Sequence, residues 1–511
     1  MSQRAWRLAL LLAAVPVSAA AQLSPIGVPR GLLRLDLGGE FENYNHEFLD
    51  GRVEDYPADF SHAQTGSNLF PSLAGADLTV GQLIGQSGYR LNLGRSTAVA
   101  EVNVGTGSIG LAYGLTRRIT LLANLPIVRA RVQPRFLFDS GSGDAGRNPA
   151  NATQFLAQFQ DAIDTLNARI AAGAYGPSLI GTAVAARDSA LLLQGRLSDL
   201  ATNAAFIPTD SSTAGRLIAT RIDGLRDTLT KVLSIPGFTL GMPLATQRLS
   251  PAEFSDQLNG LLASDSVRAF PVRETRVFLM GDLELGAAYA LVDHWDRTGR
   301  PGGLRAAVRG LVRFPTGRTD RQDDFFDLGT GQGHLDLDLG LTADVGGRRW
   351  GARLTGGYTR RFSRFRVRRI TPPTQPIANL SRLANLSIDP GDEVSLGLRP
   401  FYRLAPAIAL HLGVQYSRRG SDRVSYRSAG DSIPGVNAGD LALDSKAAAT
   451  VVSGGVSYAS ASLSDESQKG LPVEATWTYA AVVGASGGRV PQARTTRIEL
   501  RFYSRLFRHR R

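Results

Sequence analysis

The chain is predicted to be all-β: a transmembrane, antiparallel, up-and-down β-barrel of about 12 strands carrying an inserted α-helical surface domain. Three observations lead there. Apolar residues alternate with charged ones at period two over most of the chain. Short connections alternate with long polar ones, as in barrels with tight periplasmic turns and longer outer loops. No charge-free apolar run reaches the roughly 20 residues that a membrane-spanning helix needs.

At the N-terminus, Arg4 and Arg7 precede an apolar run over residues 8–17, and Ala19, Ala20 and Ala21 follow. This is the layout of a cleavable secretory signal, so residues 1–21 are set aside from the fold. Residues 22–132 read as the first barrel strands with a long loop. Strands are expected at 31–43, 98–113 and 118–132. In the first, Leu33, Leu35, Leu37 and Phe41 share one face, and Arg34, Asp36, Glu40 and Glu42 share the other. About 12 strands enclose more space than a filled eight-stranded barrel and less than an open porin. The lumen should therefore be narrow or plugged, with loop 44–97 as the expected plug.

Residues 133–275 break the alternation and turn helical. Phe155, Phe159, Ile163, Leu166 and Ile170 fall at helical spacing, as do Ile218, Ile222, Leu225, Leu229 and Val232. Ser250-Pro-Ala-Glu253 is a capping-box start with proline at the first helical position, ahead of Phe254, Leu258 and Leu261. Such stripes are what a small bundle buries in its core. The insert follows an outward-running strand and is expected to be extracellular. Residues 139–274 carry 11 Lys and Arg against 13 Asp and Glu. The net charge of +12 therefore belongs to the barrel and its loops.

Residues 276–511 supply the remaining strands, expected at 276–291, 303–315, 333–346, 349–368, 391–404, 407–427, 447–461, 471–484 and 494–507. The even total returns both chain ends to the periplasmic side.

The alternation also says where the charges face. In hydrocarbon every backbone N–H and C=O must pair within the protein, so a spanning sheet has to close. A Lys or Arg on the lipid face at the midplane costs about 2–4 kcal/mol. The charged face is therefore lumenal. Arg305, Arg309 and Arg313 should point inward, opposite Asp282 and Glu284 on one neighbouring strand and Asp336 and Asp338 on the other. At the closure, Arg497, Arg501 and Arg505 should meet Asp36, Glu40 and Glu42. Two readings stay open: a salt-bridged wall, which is the ordinary use of cross-strand charges, or a polar pore that attracts anions.

Cysteine is absent, which excludes disulfides, thiolate metal sites, a Cys nucleophile and a lipid-bearing Cys. The basic excess is nearly all Arg, and export argues against nucleic acid as its partner. The phosphates of surface glycolipid are a polyanion that suits it. None of His46, His62, His294, His334, His411 and His509 stands in a metal or catalytic spacing. No enzyme activity, cofactor or metal is expected. Asp320, Asp323, Asp324 and Asp327 cluster in one loop; a solvated acidic loop is expected there rather than a Ca²⁺ site. Phe325 and Phe326 in the same loop should contact an apolar solute or fold over the pore.

Several segments carry a family resemblance: 110–126 (GLAYGLTRRITLLANLP), 281–286 (GDLELG), 314–317 (FPTG), 327–332 (DLGTGQ), 335–340 (LDLDLG), 471–474 (LPVE) and 488–491 (GRVP). Together they resemble the outer-membrane barrels of the MetA-pathway of phenol degradation family, itself similar to the transporters of fatty acids and aromatic hydrocarbons. The resemblance covers roughly residues 98–132 and 276–507. It implies uptake of small organic molecules and carries over no catalytic residue. The insert at 133–275 has no counterpart in it, and Arg508-His-Arg-Arg511 follows Phe507, where a terminal aromatic is expected.

The function expected is passive transport of small aromatic, hydrophobic or anionic molecules across the cell outer membrane. The alternative is a non-transporting barrel that displays the helical insert for binding or adhesion. The expected partners are outer-membrane lipid and surface glycolipid, the barrel assembly machinery and a small solute, with the protein a monomer.

Overall fold

The computed structural model describes residues 27–296, 302–370, 375–405, 407–459 and 473–505. The expected signal at 1–21 and the tail at 508–511 lie outside the described residues, as do residues 297–301, 371–374 and 460–472.

Twelve antiparallel strands close into one barrel: β1 Leu32–Tyr44, β2 Gly94–Gly114, β3 Ile119–Asp139, β4 Leu283–Asp296, β5 Gly302–Phe314, β6 Asp336–Gly346, β7 Trp350–Arg361, β8 Glu393–Ala405, β9 Ile408–Arg419, β10 Ala447–Ala459, β11 Val473–Ser486 and β12 Arg494–Arg505. Each pairs with its sequence neighbour, and β12 closes on β1 with Arg501 opposite Asp36 and Arg497 opposite Glu40. Closure leaves no unpaired edge.

Leu37, Phe41, Ile109, Leu111, Leu285, Leu339, Leu341, Leu396, Leu412, Val452, Ile498 and Leu500 all stand exposed on the outer wall. Trp350, Tyr458 and Trp477 lie toward the end that holds the described chain termini; Phe41, Tyr358 and Tyr416 lie toward the other. A closed sheet with an apolar belt all round is a membrane-spanning solution, and aromatics at the interfaces belong to it. This is an outer-membrane β-barrel.

At the end with the described termini, β2–β3 and β6–β7 are joined by short turns at 115–118 and 347–349; the distal end carries the long connections at 45–93, 140–282, 315–335, 362–392 and 420–446. One distal turn is tight: Gly487 and Gly488 both adopt left-handed φ, and a Cβ on Gly488 would strike the Asp444 carbonyl.

Four expectations change. β3 does not stop at 132. It runs to Asp139 because β2, also 21 residues long, pairs with it throughout. The extra turn of sheet is stable because Phe136 and Phe138 pack against buried helices instead of water. The helical part of the insert is therefore α2 Thr153–Ala171, α3 Ile180–Asn203, α4 Thr213–Asp227 and α5 Pro251–Ala263.

Second, loop 44–97 divides its role: Tyr56 and Phe60 pack at the barrel mouth, and the rest departs from the expected plug. Its helix α1, Leu73–Ile84, docks on α3 and α4, and Leu69, Phe70, Leu73, Val80 and Leu83 join the same apolar core as Phe155, Phe159 and Ile163. The distal helical domain is thus built from two connections. Third, Val232 stays half-exposed, because α4 gives way to a π-helical turn at Thr228–Val232 that rotates it off the stripe. Ser250 does form its capping box with Glu253.

Fourth, the expected strands 276–291, 349–368 and 407–427 each split, the first into Thr275–Met280 beside distal β3 and the barrel strand β4. Arg364–Arg369 and Arg423–Tyr426 leave the barrel and flank Leu383–Asp389 in a separate three-stranded sheet over the distal rim. Ile370, Leu386, Ile388, Val424 and Leu441 give that sheet a core of its own.

Candidate functional site

The lumen holds the charges that the alternation sends inward, and strand register decides which of them meet. On β5 and β6, Arg313 lies opposite Asp336 and Arg305 opposite Asp344. Arg313 binds Asp336 at 3.1 Å and Glu284 at 2.8 Å. Arg309 reaches Asp338 at 3.4 Å. Arg305 does not reach Asp336 or Asp338; it donates Nε to Asp344 at 2.7 Å. β7 sends a second arginine to the same carboxylate: Arg353 donates Nε and Nη2 at 2.6 and 2.7 Å. At the closure, Arg497 binds Glu40, and Arg501 lies 3.4 Å from Asp36 and 3.5 Å from Glu499. Glu42 lies opposite Thr495 rather than an arginine.

Asp282 departs from its expected role. It sits at the distal start of β4 and accepts the backbone N–H groups of Gly317 and Gln332 at 2.8 and 2.9 Å. It anchors the loop between β5 and β6 rather than pairing with an arginine. The acidic loop is not solvated either. Arg366 and Arg368 bind Asp320, Arg318 binds Asp327, and Arg321 binds Asp323. The loop's own Arg318 and Arg321 serve Asp327 and Asp323, and the strand at 364–369 supplies the arginines for Asp320. Burial, with Arg366 and Arg368 beside it, pulls Arg364 down to about 10.

Phe325 and Phe326 fold over the barrel mouth. Phe326 is buried beside Phe60 and Phe136, and Phe325 packs edge-on to Phe60. With Leu328, Tyr44, Tyr56, Val102, Val104, Ala130 and Val132 they form an apolar layer between the charged lumen and the helical domain.

Below that layer lies a cavity of about 410 Å³. Arg34, Asp36, Glu40, Asn124, Glu284, Arg309, Arg353, Arg497, Glu499 and Arg501 line it, together with the apolar Leu122, Pro126, Ala288, Ala307 and Leu311. A smaller recess of about 40 Å³ adjoins it, since Arg353 and Arg497 line both. Thr355, Gln415, Ser453, Thr478 and Thr495 line the recess, and so does Arg399.

Sequence reasoning missed Arg353 and Arg399. β7 and β8 place them opposite each other, two like charges across a strand pair. Arg353 is engaged by Asp344. No carboxylate engages Arg399 among the described residues, and its Nε and Nη1 are buried without a hydrogen-bond partner. Asp344 and Glu499 act on it only from beyond ion-pair distance. The signal was present: both arginines sit on the charged face of an alternating run, but only the register shows which carboxylates have already been used.

His411 lies in the lumen wall with Nε2 at 3.2 Å from the Thr478 hydroxyl, and His334 contacts Asp336. No group of three or more His, Cys, Asp or Glu is placed to hold a metal among the described residues.

No family model matches the chain, and no curated protein matches it. Among solved structures it is similar to an outer-membrane channel from Pseudomonas putida F1, with a TM-score of 0.42 and 11% identity over 94% of this chain and 99% of that one. The translocator domain of the autotransporter NalP from Neisseria meningitidis gives a TM-score of 0.29 at 9% identity, over 96% and 92%. A mutant of the TodX monoaromatic hydrocarbon channel gives 0.26 at 11%, over 94% and 91%.

Proposed function

We infer that the barrel is a passive channel for small organic molecules, which cross the outer membrane through its lumen. The observation that carries this is the cavity itself. A barrel meant only as a membrane anchor can fill its interior with side chains, as eight-stranded barrels do. This one holds its inward charges back against the wall in cross-strand pairs and leaves about 410 Å³ open. The lining offers charge, hydroxyls and an apolar stretch, which suits solutes with a polar head and a small apolar body. The resemblance to the phenol-degradation barrels points the same way. Surface lipid, the barrel assembly machinery and a monomeric state belong to this reading as outer-membrane partners, and no catalysis is assigned to the lumen histidines.

The test is solute entry into liposomes containing the refolded protein. Swelling with small aromatic acids and alcohols is expected. No swelling and no planar-bilayer conductance, from the full chain or from a variant lacking the helices between β3 and β4, would sink it. A second reading has one observation behind it: the apolar layer at Phe326 and Leu328, with the helical domain above, covers the mouth. In that reading the domain is displayed extracellularly for binding. Conductance that rises on deleting the helices assigns them to gating the channel; a barrel that stays closed assigns them to display.

A further inference from the structure

We propose that the recess at Arg399 is a binding site for the carboxylate of a small organic acid whose apolar body lies in the larger cavity. The inference deepens the channel reading and rests on it for the route by which such an acid arrives.

Four features converge on the recess. The first is uncompensated charge. Arg305 and Arg353 both bind Asp344, and Arg399 stands opposite Arg353 with no carboxylate engaging it among the described residues. Arg497, on the opposite lining, is neutralised by Glu40. A buried guanidinium with open N–H groups is costly unless an anion takes them, and its planar fork fits a carboxylate.

The second is space. Gly397 and Gly413 flank the arginine on β8 and β9. A Cβ at Gly413 would come to 3.5 Å from the Arg399 Nε, and one at Gly397 to 2.5 Å from the Thr355 hydroxyl. A larger residue at Gly413 would fill the space next to the guanidinium, and one at Gly397 the space at the Thr355 hydroxyl.

The third is the set of neutral polar groups. Thr355, Ser453, Thr495 and Gln415 line the recess, with the Thr478 hydroxyl held at His411. They give an oxyanion further donors without neutralising Arg399.

The fourth is size. About 40 Å³ admits a carboxylate and little else, while the adjoining 410 Å³ has room for a ring or short chain against Leu122, Pro126, Ala307 and Leu311. Head and body are sorted by the two volumes. Glu499, which lines the larger cavity, disfavours a second negative charge there, so the acid is a monocarboxylate.

The probe is benzoate, with benzyl alcohol as its uncharged counterpart, titrated against the full-length, detergent-solubilised protein. Wild type should bind benzoate more tightly than benzyl alcohol. Arg399→Gln should weaken benzoate roughly 10-fold or more, the scale of a lost charge-assisted hydrogen bond, and leave benzyl alcohol unchanged. Arg399→Lys should recover part of the loss, because it restores the charge without the fork. Heat-modifiable gel mobility confirms that each variant is folded. Equal benzoate affinity in wild type and Arg399→Gln overturns the site, as does a folded wild type that does not bind benzoate. The channel reading is judged separately by liposome entry. Benzoate held at Arg399 with no solute entry keeps the site and removes the channel. Solute entry with benzoate indifferent to Arg399 does the reverse.

Discussion

Replacing Asp344 by Asn should be among the most destabilising single changes in the barrel. Its side chain is 2% exposed, and its two arginine partners, Arg305 and Arg353, are 4% and 5% exposed. The bonds from Arg353 are bidentate at 2.6 and 2.7 Å, and Arg305 donates at 2.7 Å. An amide keeps the shape and removes the charge that two buried guanidinium groups face. Breaking a buried pair from one side costs about 3–5 kcal/mol, whereas an exposed pair is worth about 0–1 kcal/mol. The exposure values place Asp344 in the first class. The assay is urea unfolding of the refolded protein in lipid vesicles, followed by tryptophan fluorescence and by heat-modifiable mobility. Asp227→Asn is the internal control. Its partner Lys231 is 72% exposed on the surface of the helical domain, and the loss there should stay near 0.3–0.5 kcal/mol. Replacing the triad by Met, Leu and Met at 305, 344 and 353 should recover much of the lost stability, since no buried charge then remains at these three positions. A loss under about 1 kcal/mol for Asp344→Asn would refute the reasoning: water would reach this part of the lumen well enough to solvate both arginines.

At the closure of the barrel, Arg497→Glu should lower the unfolding temperature of the compact form on a gel, and adding Glu40→Arg should restore at least half of the loss; a double variant no better than either single one removes the pair from the account. Phe159→Ala, which opens a hole beside Phe155 and Phe238, should cost the helical domain about 3–5 kcal/mol. Limited proteolysis should then cut between Asp139 and Leu283 while the barrel keeps its heat-modifiable shift. Above the rim, Arg489 faces both Glu47 and Asp59 in a buried junction of the two outer connections. Burial pushes Glu47 up from its ordinary 4.5, with Arg489 opposing the shift. A raised folded value means that stability from this group is fully present below about 4.5 and is lost as pH rises through the raised value. Hydrogen exchange at Phe48 and Leu49 should therefore slow as pH falls from 7 toward 5, once corrected for intrinsic rates, and Glu47→Gln should abolish the trend.

Most of the barrel was legible because period two is a local signal. Leu33 to Glu42 and Leu335 to Asp344 show in ten residues which face meets lipid, and a one-residue slip would put every charge into hydrocarbon. The apolar stripe from Phe155 to Leu166 was legible for the same reason at helical spacing. The misses depend on pairs of segments far apart in the chain. Nothing local says that residues 73–84 will join a core formed 80 residues later, since a short apolar helix in a long loop serves a plug equally well. Asp320 looks solvated until Arg366 and Arg368 arrive on a strand that has left the barrel. Asp282 looks like part of the charged wall until the loop between β5 and β6 places the N–H groups of Gly317 and Gln332 on it.

The same contrast explains why the lumen arginines could be counted early and yet not assigned. Alternation tells that an arginine faces inward; only register tells whether a carboxylate stands opposite. Arg313 lies across from Asp336 and Arg305 from Asp344, so both are neutralised by their place in the sheet. Arg353 lies across from Asp344 on one side and Arg399 on the other, and the one carboxylate serves it. Arg399 then faces Gly413 and Ser453 along the remaining wall, where no acid occurs. The working charge of such a lumen is thus what remains after cross-strand pairing is subtracted, not the number of arginines pointing in. By that subtraction the wall near Glu40, Arg497 and Arg501 is largely spent, and the field a solute meets should respond far more to Arg399 than to any arginine of the 305, 309 and 313 series.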